Sequence, residues 1–438
     1  MSNHTIEPLS ERFSEHARAS AVALPEGAAA VEGGSATSAR GFSACGVHAG
    51  FKKNPDALDA ALVAADEPCV AAGVFTTNVF CAAPVIASRA HLERSGGVAR
   101  AVIVNSGNAN AATGSIGLER AEAVANLVAD ELGCTPDEVL VASTGVIGVH
   151  LPLEPFEENI ARMAGALSPA GGADAARAIM TTDTHPKHYA VAYESADPAY
   201  ADVTFTVGGM AKGAGMIMPN MATMIAVITT DAPLSASAAH AALVQAANMS
   251  FNRVTVDSDT STNDTCLLLA NGAAAPGAPR IEEGSAAFEE FSRALAHVCT
   301  TLARAMAADG EGATRLVTVN VTGAATDADA EACARTIANS PLVKTAIFGH
   351  DANWGRIAAA AGRSGAAFAQ EGVAIDIMGI PVCRGGLTVP FDEEEALRRF
   401  EAPEITLDID LGAGTSSATM WTCDLTHDYV TINGDYRT

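Results

Sequence analysis

Residues 208–231 read Gly-Gly-Met-Ala-Lys-Gly-Ala-Gly-Met-Ile-Met-Pro-Asn-Met-Ala-Thr-Met-Ile-Ala-Val-Ile-Thr-Thr-Asp, and the character of the chain changes inside this stretch. Up to Ala222 it is rich in Gly, Pro and Asn. From Thr223 to Thr230 it is apolar on both faces and β-branched, the composition of a central strand covered on two sides. Asp231-Ala232-Pro233 ends that strand, and Pro233 with Ser235 suits a helix start, with Ala239, Leu243 and Ala246 or Ala247 on one face. Upstream, Ala101–Val104 reads as a buried strand. Val124, Leu127, Val128 and Leu132 recur at helical spacing before Gly133, a C-cap. Downstream, strands are predicted around Arg253–Val256 and Cys266–Ala270, a helix over Phe288–Ala307, and a strand over Leu316–Val321. Ile405, Leu407, Ile409 and Leu411 then alternate with polar residues as in a half-buried strand. Strands and helices interleave in both halves, with no internal repeat and no linker, which predicts an α/β fold.

The 438 residues are 49% hydrophobic and 18% charged, so the bulk of the chain can bury a core and is not disordered. Lys and Arg total 26 against 51 acids, a net charge of −25. That field repels phosphate backbones and anionic lipid, so nucleic acid is excluded as a partner. Nine scattered cysteines with no C-x-x-C pair argue against a disulfide framework or zinc ribbon. The N-terminus carries Glu7, Glu11, Arg12, Glu15 and Arg18 with no apolar run behind them, unlike a secretory signal, and no stretch reaches membrane-spanning length. These features predict a reducing, cytoplasmic setting. The small-residue stretch Ala28–Ala36 offers little to bury, so residues 1–40 read as a mobile tail.

Four segments are richer in Gly, Asn, Thr and Asp than packing requires: Asn105–Asn110, Ser143–Gly148, Gly208–Asp231 and Asp257–Thr265. Each alone is also explained by turn chemistry. The order of a P-loop fails, because Lys212 precedes Gly213, and the glycines at 208, 209, 213 and 215 do not make G-x-G-x-x-G. His185 and His188 flank Pro186, which disfavours a helical two-histidine metal face, so no metal site is predicted. Thr223 stands at the junction of the flexible stretch and the rigid strand. A threonine hydroxyl needs a base beside it to attack a carbonyl, and a threonine that begins a chain carries its own: an α-amine with an unperturbed pKa of about 7.7–8.0. Cleavage between Ala222 and Thr223 would create that catalyst, the alternative being a structural threonine at a strand start.

At these same segments the chain resembles the ornithine acetyltransferase family, the self-cleaving glutamate N-acetyltransferases of arginine biosynthesis. The resemblance runs from about Gly41 to Thr438. It is carried by Gly73–Asn78, Asn105–Asn110, Ser143-Thr144-Gly145, Thr181-Thr182-Asp183-Thr184, Lys212–Met216, Met221-Ala222-Thr223-Met224, Asp257–Thr265, Asn353-Trp354-Gly355-Arg356 and Asn433–Thr438. It implies an α/β/β/α sandwich cut into an α chain ending at residue 222 and a β chain of 223–438, interleaved in one catalytic body and assembled as α2β2.

By position, the resemblance implies that Thr223 is the nucleophile both for self-cleavage after Ala222 and for acetyl transfer, and that Thr144 and Gly145 form the oxyanion hole. Thr181, Lys212, Thr223, Glu311, Asn433 and Thr438 match substrate-contacting positions. Lys212 could hold a carboxylate of the amino-acid substrate and Glu311 the ammonium of ornithine, the bland alternatives being a solvated lysine and a loop acid. Asn433 and Thr438 need the chain end to fold over the site. The implied reaction takes acetyl from N-acetylornithine, releases ornithine and delivers the group to glutamate, without metal or organic cofactor; acetyl-CoA is a second donor in some members. A self-processed amidase or aminopeptidase of similar fold, with water in place of glutamate, stays open as the alternative. Ala214 and Met218, where many members have Ser and His, and a local insertion at Glu194–Tyr200 bear on substrate tuning.

Overall fold

The computed structural model describes residues 22–218 and 224–435. In chain order the first part forms β1 (Ala28–Ala30), β2 (Phe42–Val47), β3 (Ala60–Phe75), α1 (Ala83–Arg94), β4 (Val98–Asn108), α2 (Gly114–Leu132), β5 (Val139–Val146), α3 (Glu154–Gly165), α4 (Gly172–Ala178), β6 (Lys187–Glu194), β7 (Thr204–Lys212), β8 (Ile225–Thr230), α5 (Ala236–Met249), β9 (Thr265–Ala270) and α6 (Ala286–Ala308). The strands make one sheet in the order β1-β6-β7-β8-β9-β3-β4-β5, with β2 also on β3.

Strand β3 lets this sheet double back. Its first half pairs β2 and its second half pairs β9, and its ladder to β4 shifts register between Ala64 and Cys69. Val63, Val102, Val104 and Leu140 from one side of the shift share a single core with Met210, Ile225, Val227 and Leu267 from the other. All are essentially inaccessible, and the described buried residues that join this core from outside the strands are few and mostly small: Ala36, Ala39, Ala175, Ala176, Ala178 and Ile179. The two halves of the sheet therefore bury each other. The outer face of β2–β5 packs on α2 and α3, through Leu62, Ile103 and Val141 against Val124, Val128 and Phe156. The outer face of β6–β9 packs on α5 and α6, through Val207, Ile228 and Leu268 against Leu243, Leu295 and Leu302. Helices, half-sheet, half-sheet, helices: this is the α/β/β/α sandwich.

A second unit follows, which the sequence reading did not separate: β10 (Leu316–Ala324), α7 (Asp327–Ala338), α8 (Pro341–Phe348), α9 (Trp354–Gly362), β11 (Ala374–Ile377), β12 (Ile380–Arg384), β13 (Leu387–Thr388), α10 (Glu393–Arg399), β14 (Glu404–Asp410) and β15 (Ser416–Cys423). It is a six-stranded sheet, ordered β13-β12-β11-β14-β10-β15, with its own core. Helix α6 touches both sheets, and α11 (His427–Asp435) ends the described chain with no buried residue.

Helix α5 begins at Ser235, whose side chain accepts from the Ala238 amide, and α2 ends on Gly133 in the left-handed conformation, as the sequence implied. Two expectations are corrected. Residues 22–40 are not a loose tail: β1 pairs β6, Ala36 and Ala39 are buried, and Thr229 Oγ1 donates to Ala36 O. Small side chains fit against the edge of the sheet where larger ones would not, so a composition poor in bulk does not mean a segment poor in contacts. Around Arg253–Val256 there is no strand but a 3-10 turn, Phe251–Arg253, and one bridge from Val254 to Trp421. There Arg253 Nε donates to Asn248 O and closes the end of α5, an alternative use of the backbone that apolar periodicity does not reveal.

Candidate active site

The four polar segments converge on one cavity of about 170 Å³ at the strand ends where β5 and β7 finish and β8 and β9 begin. Ala109 comes from the first, Thr144, Gly145 and Ile147 from the second, Lys212, Gly215, Met216, Met224 and Ile225 from the third, and Asp257, Asp259 and Ser261–Asp264 from the fourth. Thr181, Glu311, Tyr429 and Asn433 complete the wall. Ala222 and Thr223, and the terminal Thr438, lie outside the described residues.

Thr144 and Gly145 sit at the end of β5, beside Ser106 and Gly107 of the parallel neighbour β4. Gly145 has φ of +130°, and a Cβ there would lie 2.4 Å from the Gly107 carbonyl carbon. Only glycine admits both that conformation and that approach. Behind the pair, Asn263 Nδ2 donates to Ala109 O at 2.6 Å and to Ser143 O at 2.8 Å, and Ser143 Oγ donates to Asn105 Oδ1 at 2.6 Å. The turn-forming residues thus hold Thr144 and the Gly145 amide in a fixed frame, as an oxyanion site requires.

Lys212 ends β7, and it is buried, not a solvated surface lysine. Its ammonium stands 3.9 Å from Asp183 Oδ2. Burial pulls its pKa down, against the pull of Asp183, Asp264 and Glu311. Asp183 is more firmly engaged elsewhere: Oδ1 accepts from Lys187 Nζ and from the Gly213 amide, both at 2.6 Å, and Oδ2 accepts from the Thr181 amide at 3.0 Å. Burial would raise the Asp183 carboxyl, but Lys187 and Lys212 hold it below the usual carboxylate range. Lys187, wholly buried, also donates to Asp309 Oδ2 at 2.5 Å. Asp309 in turn accepts from the Thr184 amide and hydroxyl. This ion network ties together the three loops that deliver Thr181, Lys212 and Glu311. The sequence reading passed over Lys187 and Asp309, which carry no motif of their own.

Glu311 Oε2 accepts from Asn433 Nδ2 at 2.7 Å, and the Glu311 amide donates to Ala214 O. Gly215 lies so close that a Cβ would meet the Glu311 carboxyl at 2.4 Å. Tyr429, also on α11, donates to Asp257 Oδ2 at 3.4 Å, and Asp257 accepts from the Met216 and Ile217 amides. Helix α11 thus covers the site through Tyr429 and Asn433, the first of which the sequence reading missed. Among the described residues no cluster of His, Cys, Asp and Glu could hold a metal, and no helix is long and apolar enough to cross a membrane.

The arrangement brings a hydroxyl and a backbone N–H held in a rigid frame, a buried ammonium and a carboxylate around one small chamber, groups that acyl transfer to or from an amino acid can use. The sequence profile of the ArgJ family matches residues 43–438. The arginine biosynthesis bifunctional protein ArgJ of Symbiobacterium thermophilum is 51% identical over 406 residues, 92% of this chain and 99% of that protein. The same-named protein of Chlorobaculum tepidum is 47% identical, over 91% of this chain and 96% of its own length. Of solved structures, the Bacillus halodurans ArgJ is 41% identical over 48% of this chain and 98% of its own, with a TM-score of 0.46. An ornithine acetyltransferase from Mycobacterium tuberculosis, solved with ornithine, is 41% identical over 44% of this chain and 98% of its own, with a TM-score of 0.40. The chain, matched along nearly its whole length, belongs to the ArgJ family.

Proposed function

We propose that this protein is a glutamate N-acetyltransferase of arginine biosynthesis, moving acetyl from N-acetylornithine to glutamate through an acetyl ester on Thr223. One convergence supports the reading: Thr144–Gly145, Lys212 and the Glu311–Asn433 pair, from separate segments, line one cavity together with Met224, the residue after Thr223.

Self-cleavage comes first. The Thr223 hydroxyl attacks the Ala222 carbonyl, the peptide C–N bond breaks, and water opens the resulting ester to leave residue 222 with a carboxylate and Thr223 with an α-amine. In acetyl transfer the hydroxyl attacks the acetyl carbonyl and its proton passes to that amine. The oxyanion meets the Thr144 hydroxyl and the Gly145 N–H. Collapse breaks the amide C–N bond, and the amine returns the proton to the departing α-nitrogen of ornithine. Lys212 faces the α-carboxylate and Glu311 the side-chain ammonium of N-acetylornithine. Glutamate then attacks the ester through its α-amine, and the same steps in reverse regenerate Thr223. Charge rearrangement is confined to the oxyanion and the amine, so the residues provided need no cofactor. The name of the relatives, bifunctional, supports a second activity, for which acetyl-CoA is the proposed donor. Strands contributed from both sides of residues 222–223 to one sheet support interleaving of the two halves within one body, with α2β2 as the proposed assembly, and unpaired cysteines fit a reducing cytoplasm.

Purified protein should give a fragment beginning at Thr223, and quenching with N-acetylornithine alone should leave one acetyl group on it. Added glutamate should discharge that group as N-acetylglutamate. Thr223→Ala should be neither cut nor acetylated. Acetate release without glutamate, as fast as N-acetylornithine is consumed, would assign the protein to the hydrolases instead. The same assay with acetyl-CoA plus glutamate decides the second donor, and sedimentation analysis the assembly.

A further inference from the structure

Between α4, which ends at Ala178, and β6, which begins at Lys187, the chain runs outside the helices and the sheet, yet this loop supplies Thr181 and Thr182 to the cavity wall. One of its peptide groups is held at both poles by charge. The Met180 carbonyl accepts from Lys52 Nζ at 2.8 Å, and the N–H of the same peptide, that of Thr181, donates to Asp183 Oδ2 at 3.0 Å. A trans peptide is planar with its C=O and N–H pointing in opposite directions, so a cation on one and a carboxylate on the other stop the plane from turning. The setting of that plane fixes the direction in which the Thr181 side chain leaves the loop. Asp183 is itself held by Lys187 and the Gly213 amide, so the carboxylate pole is rigid.

The cation pole comes from 128 residues away, in the connection between β2 and β3. That connection winds around Asp59, whose buried carboxylate accepts from the Ala49, Gly50 and Lys52 amides at 2.5, 3.2 and 2.8 Å. The Lys52 backbone is therefore fixed, and its half-buried side chain donates to Leu58 O at 2.9 Å as well as to Met180 O. Burial pulls its pKa down and Lys212 adds to that, while Asp59 and Asp183 act the other way, so Lys52 shares the field of the chamber's charges. An ammonium set between two carbonyls of different segments is a tether, stronger than a neutral donor would be. We propose that Lys52 is a positioning residue for substrate binding, acting through the 180–181 peptide on the contact that Thr181 makes. The proposal rests on the reading of Thr181 as a substrate contact. Lys52 does not line the cavity and meets no reacting atom.

Lys52→Met keeps the stem and removes the charge and the donors. KM for N-acetylornithine and for glutamate, which occupy the chamber in turn, should both rise roughly tenfold with kcat within about twofold, because the weakened contact is made equally to ground and transition states. Thr181→Ala should behave likewise, and the double variant should stay within about twofold of the weaker single one, since Lys52 then has nothing to act through. Lys52→Arg keeps the charge and can donate to two carbonyls, and should hold KM within about threefold of the parent. A parental KM in folded Lys52→Met, a fall in kcat at unchanged KM, an Arg variant as weak as the Met variant, or two losses that multiply in the double variant would each overturn the proposal. Should the Met variant not fold, Lys52→Gln, neutral and one bond shorter, takes its place with the same expectations. A parental KM in Thr181→Ala fails the reading of Thr181 and the proposal with it; a weak Thr181→Ala beside a parental Lys52→Met fails the proposal alone.

Discussion

Asn433 donates through Nδ2 to Glu311 Oε2 at 2.7 Å, across 122 residues of chain. The bond joins α11, none of whose residues is buried, to a carboxylate of the cavity wall. Helix α11 is therefore held to the site by polar contacts, not by a core of its own. Asn433→Ala frees Glu311 to turn toward solvent. At about 1 kcal/mol for a half-exposed hydrogen bond, KM for N-acetylornithine should rise roughly fivefold with kcat within twofold. Steady-state kinetics check this, and an unchanged KM would detach α11 from substrate binding.

Thr144 and Gly145 should fail differently when altered. Thr144→Ala should lower kcat by about two to three powers of ten with little change in affinity, since the charge it meets exists only in the transition state. Gly145→Ala keeps its N–H but forces a Cβ to 2.4 Å from the Gly107 carbonyl carbon at φ of +130°. Its primary effect should be a lower Tm, by thermal denaturation, and the loss of activity should follow that loss of fold. Unchanged turnover with weakened affinity in Thr144→Ala would move Thr144 to ordinary substrate binding.

Lys187→Met strands Asp183 and Asp309, both buried, without their shared cation. Removing one partner of a buried pair costs about 3–5 kcal/mol, which denaturant titration at pH 7 should show. Both carboxyls, which burial alone would raise, are held below their ordinary value by Lys187. Their contribution to stability is complete above the unfolded carboxylate pKa of about 3.9 and is lost as pH falls below it. The gap between parent and variant should therefore narrow on acidification from pH 5 to pH 3. A gap that is constant with pH would mean that lost packing, not lost charge, is the cause.

The outer framework was legible because strands buried on two faces and capped helices are local patterns. The stretch Thr223–Thr230 announced β8, which runs over Ile225–Thr230, and Ser235 announced α5. The four polar segments were legible as a set, since Gly145 and Gly215 each answer a backbone or carboxylate approach too close for a side chain. What was not legible depends on distant residues meeting. Lys187 carries no motif, and its partner Asp309 is 122 residues away. The tail failed for a related reason: the alanines around Ala36 have value only against the strands that receive them.

Strands β7 and β8, on either side of residues 222–223, are hydrogen-bonded neighbours from Val207 with Thr230 to Lys212 with Ile225. Strand β8 then pairs β9, and β9 pairs β3 from the beginning of the chain. A cut at 222–223 falls in the connection between these two strands, after their last pair Lys212–Ile225, and leaves every rung of the ladder in place. On the proposal that the chain is cut there, the two halves are already joined by this ladder as one molecule. Two genes encoding the halves would replace that intramolecular closure with a search between strangers, each exposing an unpaired strand edge while it waited, so the single reading frame is itself part of how this enzyme reaches its native state.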